Sequence, residues 1–344
     1  MHKLVLFNNK GGVGKTTLTA NLCAYLAIKR GYRVLVVDCD PQCNVTQLFL
    51  GDDRTIDLYW SEVRDGSTKT QTLLNAVQPI MDGGAEVDTS VSIIPKSENR
   101  FGADLVPGHP RFSSIEDELS RAWGDLTAGR IGGFRITQWL RHLLGAIGPK
   151  YDIVLIDVGP SLGSINRSVL AATDSFVTPL GSDVFSLLGI RNIAQWMQGW
   201  IDAYSLAVSN AANADSKALE RYNIPLKLEI EHGYVGYTLQ QYITKSKQGV
   251  RRATVAFEEI IQNVPKEIGL HLSKFRSADV VQSDMDLGDI PNLFSLIPLA
   301  QSVNAPIFSL RGGDGLVGSQ FGQARDYEAM IAGLGDKLIK NIKA

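Results

Sequence analysis

Residues 3–44 read KLVLFNNKGGVGKTTLTANLCAYLAIKRGYRVLVVDCDPQCN. Lys3–Phe7 is a short apolar run of the buried-strand type. Residues 15–30 then carry Leu18, Leu22, Tyr25, Leu26 and Ile28 at helical spacing, and Gly31 ends that helix. Arg33–Val37 is a second buried strand, closing on Asp38. Strand, helix and strand in this order make a βαβ unit, which belongs in a parallel sheet with helices on its faces.

The turn between the first strand and the helix is Lys10 followed by Gly11-Gly12-Val13-Gly14-Lys15-Thr16-Thr17. Consecutive backbone N–H groups in such a loop point inward at a helix N-terminus and form an anion cradle. Glycine is needed because phosphate oxygens approach the backbone too closely for a Cβ. Lys15 supplies a point charge for β- and γ-phosphates, and the Thr16 hydroxyl a ligand for Mg²⁺. Position 9 is Asn where the common loop has Gly, so the pattern is the variant KGGxGKT.

Carboxylates end the neighbouring strands. Asp38 and Asp40 lie at the carboxyl end of the second strand. Asp157 ends a third run, 152–156 (DIVLI). Ligands of open α/β sheets bind beyond these strand ends, and hard Mg²⁺ takes oxygen ligands, often through water. Further strands are expected at 175–180, at 227–237 and near 293–297, with another candidate at Ser90–Pro95. Helical patterns cover 137–146 and 186–205, and a helix is expected to start at Ser113 or Ser114 as its cap. The expected architecture is one α/β domain over residues 1–344: a single doubly wound, mostly parallel sheet flanked by helices. The stretch 52–135 is read as an enlarged insertion offering a partner surface.

Composition narrows the class. The 344 residues are 44% hydrophobic and carry 34 basic and 36 acidic side chains. That balance offers no overall field for nucleic acid, so DNA contact requires a local basic patch. The cysteines Cys23, Cys39 and Cys43 suit a reducing compartment and lack partners for a zinc or iron–sulfur site. Neither a signal peptide nor a membrane span is expected, so a cytoplasmic protein is anticipated.

The variant loop resembles that of the ParA/MinD group of deviant Walker-A ATPases, and the resemblance extends beyond it. Asp38-Cys-Asp-Pro-Gln-Cys-Asn44 is similar to the family's first switch, and Asp157-Val-Gly-Pro-Ser-Leu-Gly163 to its second, with Gly159 where a proline is usual. Asn166, Ala171–Asp174, Val177–Pro179 and Phe185–Gly189 follow in the family's order. The resemblance implies a P-loop NTPase fold and slow hydrolysis of ATP with Mg²⁺. It implies that Lys10 reaches across an ATP-dependent homodimer to the partner's phosphates. Asp40 is implied to orient or deprotonate the attacking water and to lie at the metal, and Asp157 to bind Mg²⁺ through water. Pro291 and Asn292 are implied to touch the adenine.

Three roles are consistent with such a switch. In the leading one, a ParA-like ATPase binds DNA non-specifically through Lys245, Lys247, Arg251 and Arg252 to partition a plasmid or chromosome or to position cargo, and a protein partner stimulates hydrolysis. Alternatively, the switch regulates a toxin, nuclease or secretion component. A MinD-like membrane role needs a terminal amphipathic helix. Residues 327–343 have that pattern, but a helix packed on the sheet has it too, and a membrane partner is not expected.

Overall fold

The computed structural model describes residues 1–65, 70–240, 245–247, 250–252, 255–291, 293 and 295–342. In chain order, the first half runs β1 (His2–Leu6), α1 (Lys15–Ala24), β2 (Val34–Asp38), α2 (Asn44–Leu50), α3 (Asp52–Asp65), α4 (Leu73–Met81), β3 (Asp104–Val106), α5 (Ile115–Thr127), α6 (Ile131–Thr137) and α7 (Trp139–Ile147). The second half runs β4 (Ile153–Asp157), α8 (Ser164–Ala172), β5 (Ser175–Gly181), α9 (Val184–Arg221), β6 (Tyr234–Gln240), β7 (Lys245–Lys247), β8 (Val250–Arg252), α10 (Val255–His271), β9 (Asp286–Ile290), α11 (Leu296–Ser302) and α12 (Gln320–Ile342).

Seven strands form one parallel sheet in the order β3-β2-β4-β1-β5-β6-β9. The winding reverses at β1, with β2 and β3 on one side and β5, β6 and β9 on the other. A crevice therefore opens beyond the carboxyl end of β1, where a doubly wound sheet takes its ligand. Strands β2 and β4 are buried at every position because helices cover both faces of the sheet. Their register sets Asp38 directly beside Asp157.

The stretch 52–135 supplies β3 to the sheet edge and sends Phe101, Phe112, Ile115, Leu119 and Leu126 into the common core. The C-terminal α12 buries Tyr327, Ile331, Leu334, Leu338 and Ile342, one helical face, within that core. No helix among the described residues is long and apolar enough to cross a membrane.

Some local expectations are corrected. The strand expected near 293–297 is not found among the described residues of that stretch. Leu296–Ser302 is helical, and the sheet's last strand is Asp286–Ile290. That strand lies at the edge and is only partly covered, so its sequence DLGDI carries little apolar signal. Ser90–Pro95 contributes only an isolated bridge, Ile94 to Leu105, and the strand expected at 227–237 begins at Tyr234. The helix expected to start at Ser113 or Ser114 does begin there, with Ser114 in the N-cap position of α5, but no serine side chain caps it. Pro110–Ser114 is already a 3₁₀ turn, and Ser114 Oγ donates back to the Arg111 carbonyl at 2.7 Å.

Candidate nucleotide site

The phosphate loop joins β1 to α1 across the crevice. Gly12 and Gly14 have φ of +74° and +75°, the left-handed region that a side chain disfavours. The left-handed turn ends on Gly14, the N-cap of α1, with no side chain covering the helix's first amides. Gly11, Gly12, Gly14, Lys15, Thr16 and Thr17 line a cleft of about 770 Å³ that Asp40 and Pro160 also border. The Lys15 side chain is largely buried, and its Nζ donates to the Lys10 carbonyl at 3.1 Å. Burial holds its pKa below the usual lysine value, against the pull of Asp157 and Asp40. Phosphate oxygens at this Nζ would offset that desolvation with charge-assisted hydrogen bonds.

Two of the strand-end acids, Asp157 and Asp38, are buried behind the cleft and differ in their partners. Asp157 is wholly buried and accepts Thr16 Oγ1–H at 2.8 Å. Burial raises its pKa to about 7, opposed by Thr16 and by Lys15, while Asp40 adds to the rise. Asp38 lies behind it, also fully buried, and its pKa rises to about 8 through burial and the nearby Asp157. Asp38 accepts the Thr46 N–H at 2.9 Å and the Asp40 N–H at 3.2 Å. It braces the first switch from inside and does not line the cleft.

Asp40 does line the cleft. Its Oδ1 accepts the Gln42 N–H at 2.9 Å, a local turn that aims the carboxylate. A Cβ at Gly159 would stand 3.1 Å from Asp40 Oδ1. The glycine that replaces the usual proline in the second switch therefore gives this carboxylate its room.

Lys10 points elsewhere. Its Nζ forms an ion pair with Asp183, whose other oxygen caps α9 by accepting the Phe185 N–H at 3.0 Å. The pair is half-exposed, with 32% and 31% of the two side chains accessible. Burial alone would raise the Asp183 pKa, but Lys10, the Phe185 N–H and the Ser186 hydroxyl outweigh it and hold the carboxyl below its usual range.

A second, more apolar cavity of about 270 Å³ shares Gly12, Gly14 and Thr17 with the first cleft. Gln240, Pro291, Ile297 and Tyr327 are among its walls. Pro291 thus lies beside the phosphate loop, whereas Asn292 falls outside the described residues. Lys245, Lys247, Arg251 and Arg252 belong to the β7–β8 hairpin, where Lys245 pairs with Arg252 and Ser246 with Arg251. Sequence reading missed Asp183 and Gln240. The signal for Asp183 was an acid directly before an apolar helix start; Gln240 had none.

A divalent cation fits this geometry. A threonine hydroxyl is held against a buried acid, with a second carboxylate bordering the same cleft. Among the described residues no three acidic, His or Cys side chains converge to cage a metal. Mg²⁺ characteristically takes few protein ligands and completes its shell with phosphate and water oxygens.

A glycine-built anion cradle at the switch point of a parallel sheet, backed by strand-end acids, defines a P-loop nucleotide-binding site. Residues 1–207 match the family model AAA_31, described as an AAA domain. The chain belongs to this family, as a P-loop ATPase of the ParA/MinD type. Among curated relatives, the chromosome-partitioning ATPase Soj of Treponema pallidum is 31% identical over 192 residues, which are 56% of this chain and 62% of that protein. The chromosome partitioning protein ParA of Caulobacter vibrioides is 32% identical over 195 residues, 57% of this chain and 61% of that one. The chain thus spans about three fifths of the length of these relatives. Protein DIP2308 of Corynebacterium diphtheriae is 33% identical, with a TM-score of 0.71 over 88% of this chain and 97% of its own. The ATP complex of Cyanothece McdA shares the fold at 16% identity and a TM-score of 0.62, over 98% and 96% of the two chains.

Proposed function

We propose that this chain is an ATP-driven switch in which MgATP binding and formation of a homodimer are one equilibrium. The observation that carries the reading is the division of labour between two lysines. Lys15 is buried under the cradle, while Lys10, five residues earlier in the same loop, is bound to Asp183. A cation directed away from its own cradle is available to a second protomer, as an arginine finger in trans would be. ATP would then supply the differential affinity that shifts monomer to dimer.

In the proposed chemistry, Gly11–Thr17 hold the phosphates through backbone N–H groups and Lys15 neutralises the β/γ region. Thr16 and Asp157, with Asp40 nearby, would hold Mg²⁺, which supplies charge neutralisation on the phosphate oxygens. Asp40 orients the attacking water and accepts its proton. Pro291 and its neighbours cover the base. Turnover without a partner is slow, and a hydrolysis-stimulating protein resets the switch.

For the dimer's output we propose non-specific DNA binding through the β7–β8 hairpin, serving plasmid or chromosome partition or cargo positioning. The Soj and ParA relatives named above support that direction, as do four basic residues in two paired strands. The test is sedimentation velocity with ATP. The wild type should dimerise and Lys10→Ala should stay monomeric while keeping measurable nucleotide binding. A Lys10→Ala protein that dimerises as well as the wild type sinks the switch in trans.

A further inference from the structure

Helix α5, from the stretch between the first switch and β4, reaches the second switch and packs against α8. Glu116 in its first turn spreads its carboxylate over the start of α8. One oxygen accepts the Ser164 N–H and the other accepts the Ile165 N–H at 2.9 Å. These amides are among the four that any helix start leaves without intrahelical partners. The N-cap of α8 is Gly163, with no side chain to serve them. An acid at that position also meets the positive end of the helix.

Gly163 and Glu116 are matched in shape. A Cβ at 163 would stand 2.6 Å from Glu116 Oε1. One turn into α8, Asn166 Nδ2 donates to the carbonyls of Gly159 at 2.7 Å and Ser161 at 2.8 Å. Helix α8 thereby holds the second-switch loop, and Glu116 holds α8. The loop's Gly159 in turn abuts the Asp40 carboxylate. A second tie joins the same two helices, the Arg167 guanidinium lying 4.1 Å above the Trp123 ring of α5. A cavity of about 390 Å³ is walled jointly by Asp40 and Gln42 of the first switch, Gly159 and Pro160 of the second, and Ser113 and Glu116 beside them.

We infer that Glu116 is a positioning residue for ATP hydrolysis, fixing the second-switch loop and through Gly159 the carboxylate of Asp40. The inference rests on the ATPase reading above and deepens it: the stretch 52–135 controls turnover as well as contributing to the core. Binding should be largely spared, because the backbone cradle of Gly11–Thr17 runs from β1 into α1 and makes no contact with Glu116.

The experiment is steady-state ATP hydrolysis by the full chain, with nucleotide affinity measured separately by a fluorescent ATP analogue. Glu116→Ala should lower kcat about tenfold while nucleotide Kd stays within about twofold, the pattern of a lost transition-state arrangement. Glu116→Gln keeps one acceptor oxygen and should fall between the two. Gly163→Ala, which displaces the carboxylate from the other side, should lower kcat in the same way. Glu116→Ala combined with Gly163→Ala should be no worse than Glu116→Ala alone, since both act through one contact. Unaltered kcat in Glu116→Ala and Glu116→Gln overturns the inference alone. So does a loss of kcat that merely follows loss of folded protein, or additive losses in the double variant. A wild type that binds ATP without hydrolysing it overturns the ATPase reading, and this inference with it.

Discussion

Replacing Asp183 by Asn separates two jobs of one carboxylate. Asn and Asp are about equally good helix N-caps, so the bond to the Phe185 N–H survives and α9 keeps its start. The ion pair with Lys10 does not survive. A pair this exposed is worth about 0.5–1 kcal/mol, the upper part of the range for surface ion pairs. If dimerisation requires Lys10 to leave Asp183, each protomer gives up that amount, about 1–2 kcal/mol for the dimer. Asp183→Asn should therefore tighten ATP-dependent dimerisation about 5- to 30-fold. Sedimentation velocity across a concentration series, with a slowly hydrolysed ATP analogue, reads the shift. The gain should shrink as salt rises, because screening already weakens the pair in the wild type. The pH dependence follows from the carboxyl's depressed pKa. A depressed acid contributes its interaction above the ordinary carboxylate range and loses it only as pH falls through and below that range. The advantage of Asn should thus be level from neutral pH down to about pH 5 and vanish only in stronger acid. Equal or weaker dimerisation by Asp183→Asn would refute the idea that the pair holds the monomer back.

Three further outcomes are expected. Lys15→Gln removes charged hydrogen bonds worth about 1.5–3 kcal/mol and should raise the ATP Kd about 10- to 150-fold by calorimetry. Gly159→Ala inserts a methyl group 3.1 Å from Asp40 Oδ1. It should lower kcat about three- to tenfold at unchanged ATP affinity, measured by phosphate release. Arg251→Ala with Arg252→Ala should weaken the ATP-dependent shift of DNA in a gel and flatten its salt dependence, and normal binding by this variant would remove the hairpin from consideration.

Much of this protein was legible in residues 3–44. A buried run, a glycine loop and a largely buried helix follow one another within a few turns, so local chemistry specified the parallel sheet and the cradle. The acids at strand ends were legible for the same reason, since a strand ending on Asp presents it at the sheet's carboxyl edge. Near β9 and at Ser90–Pro95 the local signal failed. An edge strand needs little apolar sequence, and a single bridge leaves no period to read.

What only the tertiary structure decided are the long contacts. Lys10 and Asp183 lie 173 positions apart, and Glu116 and Ser164 lie 48 apart. Nothing in the spacing of either pair marks it, because their meeting depends on how the sheet winds and how α5 and α9 pack. The side-by-side burial of Asp38 and Asp157 is likewise a matter of strand register. The sequence by itself thus determined that a phosphate group can be held here. Packing over distances far longer than a helical turn decided where Lys10 rests and what steadies the switch beside it.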